Sequence, residues 1–114
     1  MKKTVTIKEN RDFRRIYQKG RSFVTPQLVV YVRGNHLGSN RLGLTTGVKI
    51  GGAVQRNRVR RRLREIYRLN QSRLRQGNDL IIVARTRAVT ASYRELEQSF
   101  LRAADKLQLK KEML

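Results

Sequence analysis

Six arginines fall within nine residues, at Arg56, Arg58, Arg60, Arg61, Arg62 and Arg64, in a stretch that still carries a helical apolar pattern. At about 100° per residue, Val59, Leu63, Ile66, Tyr67 and Asn70 gather on one face. The guanidinium groups spread over much of the rest. That pairing restricts the fold. The segment must be a surface helix, about residues 53–69, docked on a core by one stripe and turned outward everywhere else. Guanidinium is planar, permanently charged and forked, which suits bidentate contact with phosphate. Nucleic acid is therefore the first partner to consider.

The rest of the chain agrees with that partner. Net charge is +19, from 27 basic and 8 acidic side chains over 114 residues. Solubility needs far less. Such self-repulsion works against compaction, so bound anions should tighten the fold. The length and an apolar content of 39% suit one domain with one modest core, residues 1–114. There is no cysteine, which excludes disulfides, thiol catalysis and Cys-based zinc sites. The longest apolar run, residues 28–32, is far too short to span a bilayer. Met1, Lys2 and Lys3 are followed by no apolar signal segment. A cytoplasmic location, with no membrane partner, is the expectation.

Residues 1–8 read as a basic lead-in. Asn10 is placed to cap a first helix running to about Lys19, with Phe13, Ile16 and Tyr17 as its stripe and Gly20 as its stop. Residues 22–33 read as a strand, with Pro26 marking an edge or bulge. Residues 34–40 are turn chemistry. Residues 41–46 alternate, Leu42 and Leu44 on one face, Gly43 and Thr45 on the other, which predicts an antiparallel hairpin with the preceding strand. Residues 47–52 hold three glycines and leave room for a further short strand. Residues 79–85 are apolar on both faces and so central in a sheet. Thr90 or Ser92 caps a last helix, Ser92 with Glu95 fitting a capping box, and Leu96, Phe100, Ala103 or Ala104, and Leu107 form its stripe. The tail, residues 109–114, is expected to fray. The class is α+β, a small sandwich built on one sheet.

No constellation for hydrolysis is present: no paired carboxylates, no HExxH, no Walker A loop. His36, the one histidine, lies in the Gly/Asn-rich turn and reads as a loop residue. Gly51 and Gly52 before the arginine helix suit either a phosphate site or a plain turn. Phe13, Tyr17 and Tyr31 admit two readings. Spacing alone favours core; the charge favours a cleft where unpaired bases stack on rings while arginines hold phosphates.

In its order of residues the chain resembles the bacterial ribonuclease P protein subunit. The resemblance rests on the "RNR" segment Arg56-Asn57-Arg58 after Gly51-Gly52 and before a leucine-bearing helix. It rests also on Asn10-x-Asp12-Phe13-x-x-Ile16-Tyr17-x-x-Gly20, on residues 28–32, on Arg41-Leu42-Gly43-Leu44 and on residues 79–85. It spans roughly residues 5–108. It implies a two-layer sandwich like domain 2 of ribosomal protein S5, in the order α-β-β-(β)-α-β-α, with a left-handed βαβ crossover that runs against the usual rule. It further implies a protein cofactor of a ribozyme, whose RNA subunit uses Mg2+ to cut the 5′ leader from precursor tRNA. No catalytic residue and no metal ligand are then expected in this chain, and DNA is not a partner. Arg56, Asn57, Arg58, Arg60, Arg61 and Arg64 would meet the catalytic RNA and touch the leader. Phe13, Tyr17 and Tyr31, with Lys49 nearby, would form the leader cleft. The first helix carries Tyr17 where phenylalanine is common, and a phenol still stacks. The alternative is a ribosomal-type structural RNA-binding protein, which has no reason to prefer precursor over mature tRNA.

Overall fold

The computed structural model describes residues 4–111. Helix α1 spans Asn10–Lys19, α2 Ala53–Asn70 and α3 Tyr93–Lys106; the strands are β1 Arg21–Val24, β2 Leu28–Gly34, β3 Arg41–Thr45 and β4 Asn78–Ala84. They form one sheet in the order β1-β2-β4-β3. β2 is antiparallel to β1 and β4, and β3 runs parallel to β4. α2 therefore connects two adjacent parallel strands, a βαβ unit.

Alternation along the inner strands builds two unequal cores. Leu28, Val30 and Val32 of β2, and Leu80, Ile82 and Ala84 of β4, join α2 and α3 in the main one. The same cluster takes Val59, Leu63, Ile66 and Tyr67 from α2 and Leu96, Phe100, Ala103 and Ala104 from α3. These are the helical stripes read from the sequence. The opposite face carries a smaller cluster, in which Ile16 of α1 and Ile7 meet Ile81, with Phe13, Tyr31 and Val83 packed around them. α1 thus covers its face only in part.

Several expectations change. Residues 22–33 are not one strand. They fold into the β1–β2 hairpin around Pro26, which has no N–H to give. Thr25 closes the turn: its N–H donates to Leu28 O, and its Oγ1 accepts from Leu28 N–H at 2.9 Å. β2 and β3 do not pair, because β4, buried on both faces, lies between them. The intervening loop is tied instead to the turn before β4. Asn35 N–H donates to Gly77 O, Asn40 Nδ2 to Arg75 O, and Asn78 N–H to Asn40 Oδ1. Residues 48–50 form a 3-10 turn, not a strand. The α1 cap position is Glu9, one residue early, with no side-chain cap bond. Gly20 does end α1, though in extended backbone; a Cβ there would lie 2.5 Å from Ile16 O and 2.7 Å from Val32 O.

The ends are also more ordered than expected. Leu42 N–H donates to Val5 O and Ile7 N–H to Leu42 O, so the lead-in runs alongside β3 and buries Ile7. Residues 109–111 do not fray: Leu109 is buried, Arg75 N–H donates to its carbonyl, and Lys111 N–H donates to Arg73 O. Burying one leucine stabilises by about 1.5–3 kcal/mol, enough to hold a short segment down. Residues 1–3 and 112–114 lie outside the described part of the chain.

Candidate nucleic-acid interface

The partly covered sheet face brings the nominated rings together. Phe13 and Tyr17, one turn apart on α1, have centroids 6.4 Å apart. Tyr17 meets Tyr31 of β2 edge-to-face at 4.9 Å. Phe13 and Tyr31 are half-buried and Tyr17 is exposed. Phe13 and Tyr31 pack against the smaller core, and Tyr17 stands beside them at the surface. They form a continuous aromatic ridge, open on one side. The Tyr17 hydroxyl shares a 3.0 Å hydrogen bond with Thr45 Oγ1, which pins α1 to β3 across the cleft floor.

β3 supplies that floor. Because Leu42 and Leu44 face the opposite side, Gly43 and Thr45 face the rings. A Cβ on Gly43 would lie 2.7 Å from Phe13 Cε1, so glycine is what lets the ring approach the strand this closely. Gly43 and Thr45 were missed as site residues, although their alternation was visible in the sequence. Only the pairing of β3 with β4 sets them under Phe13 and Tyr17.

α2 borders the same depression. A groove of about 350 Å3 is lined by Thr6, Ile7, Phe13, Leu42, Gly43 and Leu44 together with Arg60 and Arg64. Arg60 is held there by its NH2, which donates to Thr46 Oγ1 at 2.9 Å. The Nε atoms of Arg56 and Arg60 are shielded from solvent and lack a partner among the described residues. Arg58, Arg61, Arg64 and Asn57 are exposed. None of the five nominated arginines makes an ion pair among the described residues.

The other arginines of α2 are occupied by the fold. Arg68 binds Glu65 through two contacts of 2.6 and 3.1 Å, and this hydrogen bonding holds the Glu65 carboxyl below its ordinary range. Arg62 reaches the Ala91 carbonyl. Lys49 is exposed on the turn Val48–Ile50, which packs on α2 and on the turn Thr86–Ala88. At the start of α2, Gln55 Oε1 accepts from Gly52 N–H, and Gly51, at φ 136°, leaves room for that side chain.

Carboxylates gather nowhere near these groups in a form suited to a metal. Among the described residues no set of three or more His, Cys, Asp or Glu could hold an ion. Asp12 and Asp79 converge, but on Arg41, at 3.7 and 2.6 Å. A guanidinium already occupies the place a cation would take, and Asp79 keeps it firmly protonated through the hydrogen bond. His36 is exposed in the turn, at φ 60°. No helix among the described residues is long and apolar enough to cross a membrane.

Comparison with known proteins gives one consistent result. A family model described as Ribonuclease P matches residues 1–108. The chain is 44% identical to the ribonuclease P protein component of Natranaerobius thermophilus over 109 residues, 96% of this chain and 95% of that one. It is 39% identical to the corresponding component of Alkaliphilus metalliredigens, covering 90% of this chain and 93% of that one. Its fold is similar to the solved structure of the Staphylococcus aureus RNase P protein, with a TM-score of 0.86 at 33% identity, covering 96% of this chain and all of that one. The Thermotoga maritima RNase P protein superposes with a TM-score of 0.78 at 28% identity, over 85% of this chain and 92% of that one.

Proposed function

The chain belongs to the ribonuclease P protein family, whose role is tRNA 5′ processing within the ribonuclease P holoenzyme, and from that premise we propose how its residues divide the work. The chain acts as one RNA-binding domain with two joined surfaces. The aromatic ridge of Phe13, Tyr17 and Tyr31 takes the single-stranded 5′ leader of precursor tRNA. The α2 surface of Arg56, Asn57, Arg58, Arg60, Arg61 and Arg64 takes the catalytic RNA and the leader phosphates. The observation that carries this reading is the shared groove, which Phe13 and Gly43 line together with Arg60 and Arg64. Bases can stack on rings while guanidinium groups of the same groove hold the phosphates.

The selectivity follows physically. The leader is present in the substrate and absent from the mature product. A subunit that grips only the leader stabilises the substrate complex and lets mature tRNA leave. Mg2+ belongs to the RNA subunit in this scheme, and the protein's arginines screen phosphate charge beside it. Lys49 contributes as a mobile point charge at the α2 edge, outside the ridge. The site of action is the cytoplasm, with no DNA and no membrane involved.

The test compares one tRNA with and without its leader, on the catalytic RNA with and without this protein, at fixed salt. The protein should tighten only the leader-bearing form. Phe13→Ala or Tyr31→Ala should remove that gain, at about 1–3 kcal/mol per stacked base, while mature tRNA binding stays unchanged. Equal effects on both forms would overturn the leader reading and favour a general structural RNA-binding role.

A further inference from the structure

A second groove lies away from the aromatic ridge. It lies where the β1–β2 hairpin turns, holds about 550 Å3, and is walled by Val24, Pro26, Arg85, Thr86, Arg87 and Arg102. Three guanidinium groups share it, and no carboxylate lines it. Two of the three are held in place by the fold. Arg85 NH1 donates to Thr25 O at 2.7 Å, and the Arg102 guanidinium stands 5.9 Å over the Phe23 ring. Holding the fork in advance reduces the ordering cost of binding. None of the three makes an ion pair among the described residues; the nearest acid along α3, Asp105, stays beyond 4.0 Å of Arg102. Val24, 57% exposed, supplies an apolar wall beside the charges.

The turn that carries Arg87 also links this groove to the segment leading into α2. Arg87 sits on the turn Thr86–Ala88, which packs against the turn Val48–Ile50 that carries Lys49 and leads into α2. Arg85, Arg87 and Arg102 in the groove and Lys49 on the neighbouring turn therefore lie on segments packed at this end of the sheet.

We propose that this groove is a further RNA site, which seats a phosphodiester segment with phosphates at Arg85, Arg87 and Arg102 and sugar or base edges on Val24 and Pro26. The inference rests on the ribonuclease P reading and extends its RNA surface beyond α2. It accounts for three positive charges, two of them held in place by the fold, that neither the ridge nor the arginine helix uses.

The experiment measures assembly of the full chain with its cognate catalytic RNA across a salt series, and tRNA binding to the assembled holoenzyme. The variant is Arg87→Gln with Arg102→Gln; both side chains are exposed. A control removes equal charge at Arg73 and Arg94. Each lost phosphate contact should lower the slope of log affinity against log salt by about 0.7–0.9, and the control should not match that fall. A fall in the assembly arm assigns the groove to the catalytic RNA; a fall in the tRNA arm, precursor and mature alike, assigns it to the tRNA body. No change in either arm, with the unaltered chain binding normally, overturns this inference alone. Failure of the unaltered chain to bind the catalytic RNA would instead overturn the parent reading. Because the chain has no cysteine, Thr86→Cys can carry a tethered iron chelate as a check independent of those substitutions. It should cleave one contiguous RNA segment, and an absence of cleavage counts against the site.

Discussion

At the residue scale, the candidate site depends on small groups as much as on large ones. Phe13 reaches the strand because Gly43 has no side chain, and Tyr17 is steered by one hydroxyl on Thr45. Gly43→Ala therefore acts as an indirect deletion of the ring's seat. The new methyl would begin 2.7 Å from Phe13 Cε1, and the ring must lift. We expect the preference for leader-bearing over mature tRNA to fall on the order of tenfold, as loss of one stacked base would give. The melting curve should change little, since Phe13 is half-buried and the main core lies on the other face. Undiminished leader preference would show that Phe13 holds no base. The Arg41–Asp79 pair, by contrast, is architecture. It is bidentate, at 2.8 and 2.6 Å, and Asn35 Nδ2 donates to the same carboxylate. It locks the start of β3 to the start of β4 and so fixes the register that puts Gly43 under Phe13.

At the element scale, α2 is three helices in one. Its stripe of Val59, Leu63, Ile66 and Tyr67 is core. Arg62 and Arg68 are spent on the Ala91 carbonyl and Glu65. Arg58, Arg61 and Arg64 face solvent without partners among the described residues. Equal charge on these groups predicts unequal effects. Arg61→Gln or Arg64→Gln should each lower the salt slope of catalytic-RNA binding by about 0.7–0.9. Arg68→Gln should leave that slope alone and cost only a small amount of stability, as an exposed i,i+3 pair does. Binding isotherms across a salt series read both results. Equal slopes for all three variants would mean that α2 acts as a diffuse charge and not as an ordered set of contacts. Tyr67, buried behind these arginines, has its phenol pushed up by desolvation, with a hydrogen bond to Asn40 pulling the other way.

At the scale of the whole molecule, a net charge of +19 is carried on a compact body of 13.3 Å radius of gyration. Like charges at such density repel, and the repulsion is released when anions bind. Polyanion or inorganic phosphate should therefore raise the melting temperature. A ligand at a hundred times its dissociation constant adds about 2.7 kcal/mol to stability. Calorimetry at low ionic strength, with phosphate titrated against matched chloride, separates specific binding from screening. The same melting temperature in both salts would mean that no anion site forms in the free protein.

Much of this was present in the sequence as pattern. The α2 stripe, the capping box at Ser92 and Glu95, the central apolar strand and the aromatic spacing on α1 are local periodicities. A helix face or strand alternation is set by geometry that repeats every few residues. The arginine density named the class of partner for the same reason, because charge needs no fold to be counted. What the sequence could not decide was pairing. Nothing local shows that β4, arriving after α2, inserts between β2 and β3, or that residues 22–33 break at Pro26. Strand neighbours are chosen by which apolar faces can be buried together across long separations. The site inherits that choice. Phe13, Tyr31, Gly43 and Arg60 come from four separate elements. Whether the rings were core or cleft depended on α1 covering its sheet face only in part. Local pattern determined which residues this protein has to work with, and burial of the sheet determined which of them meet.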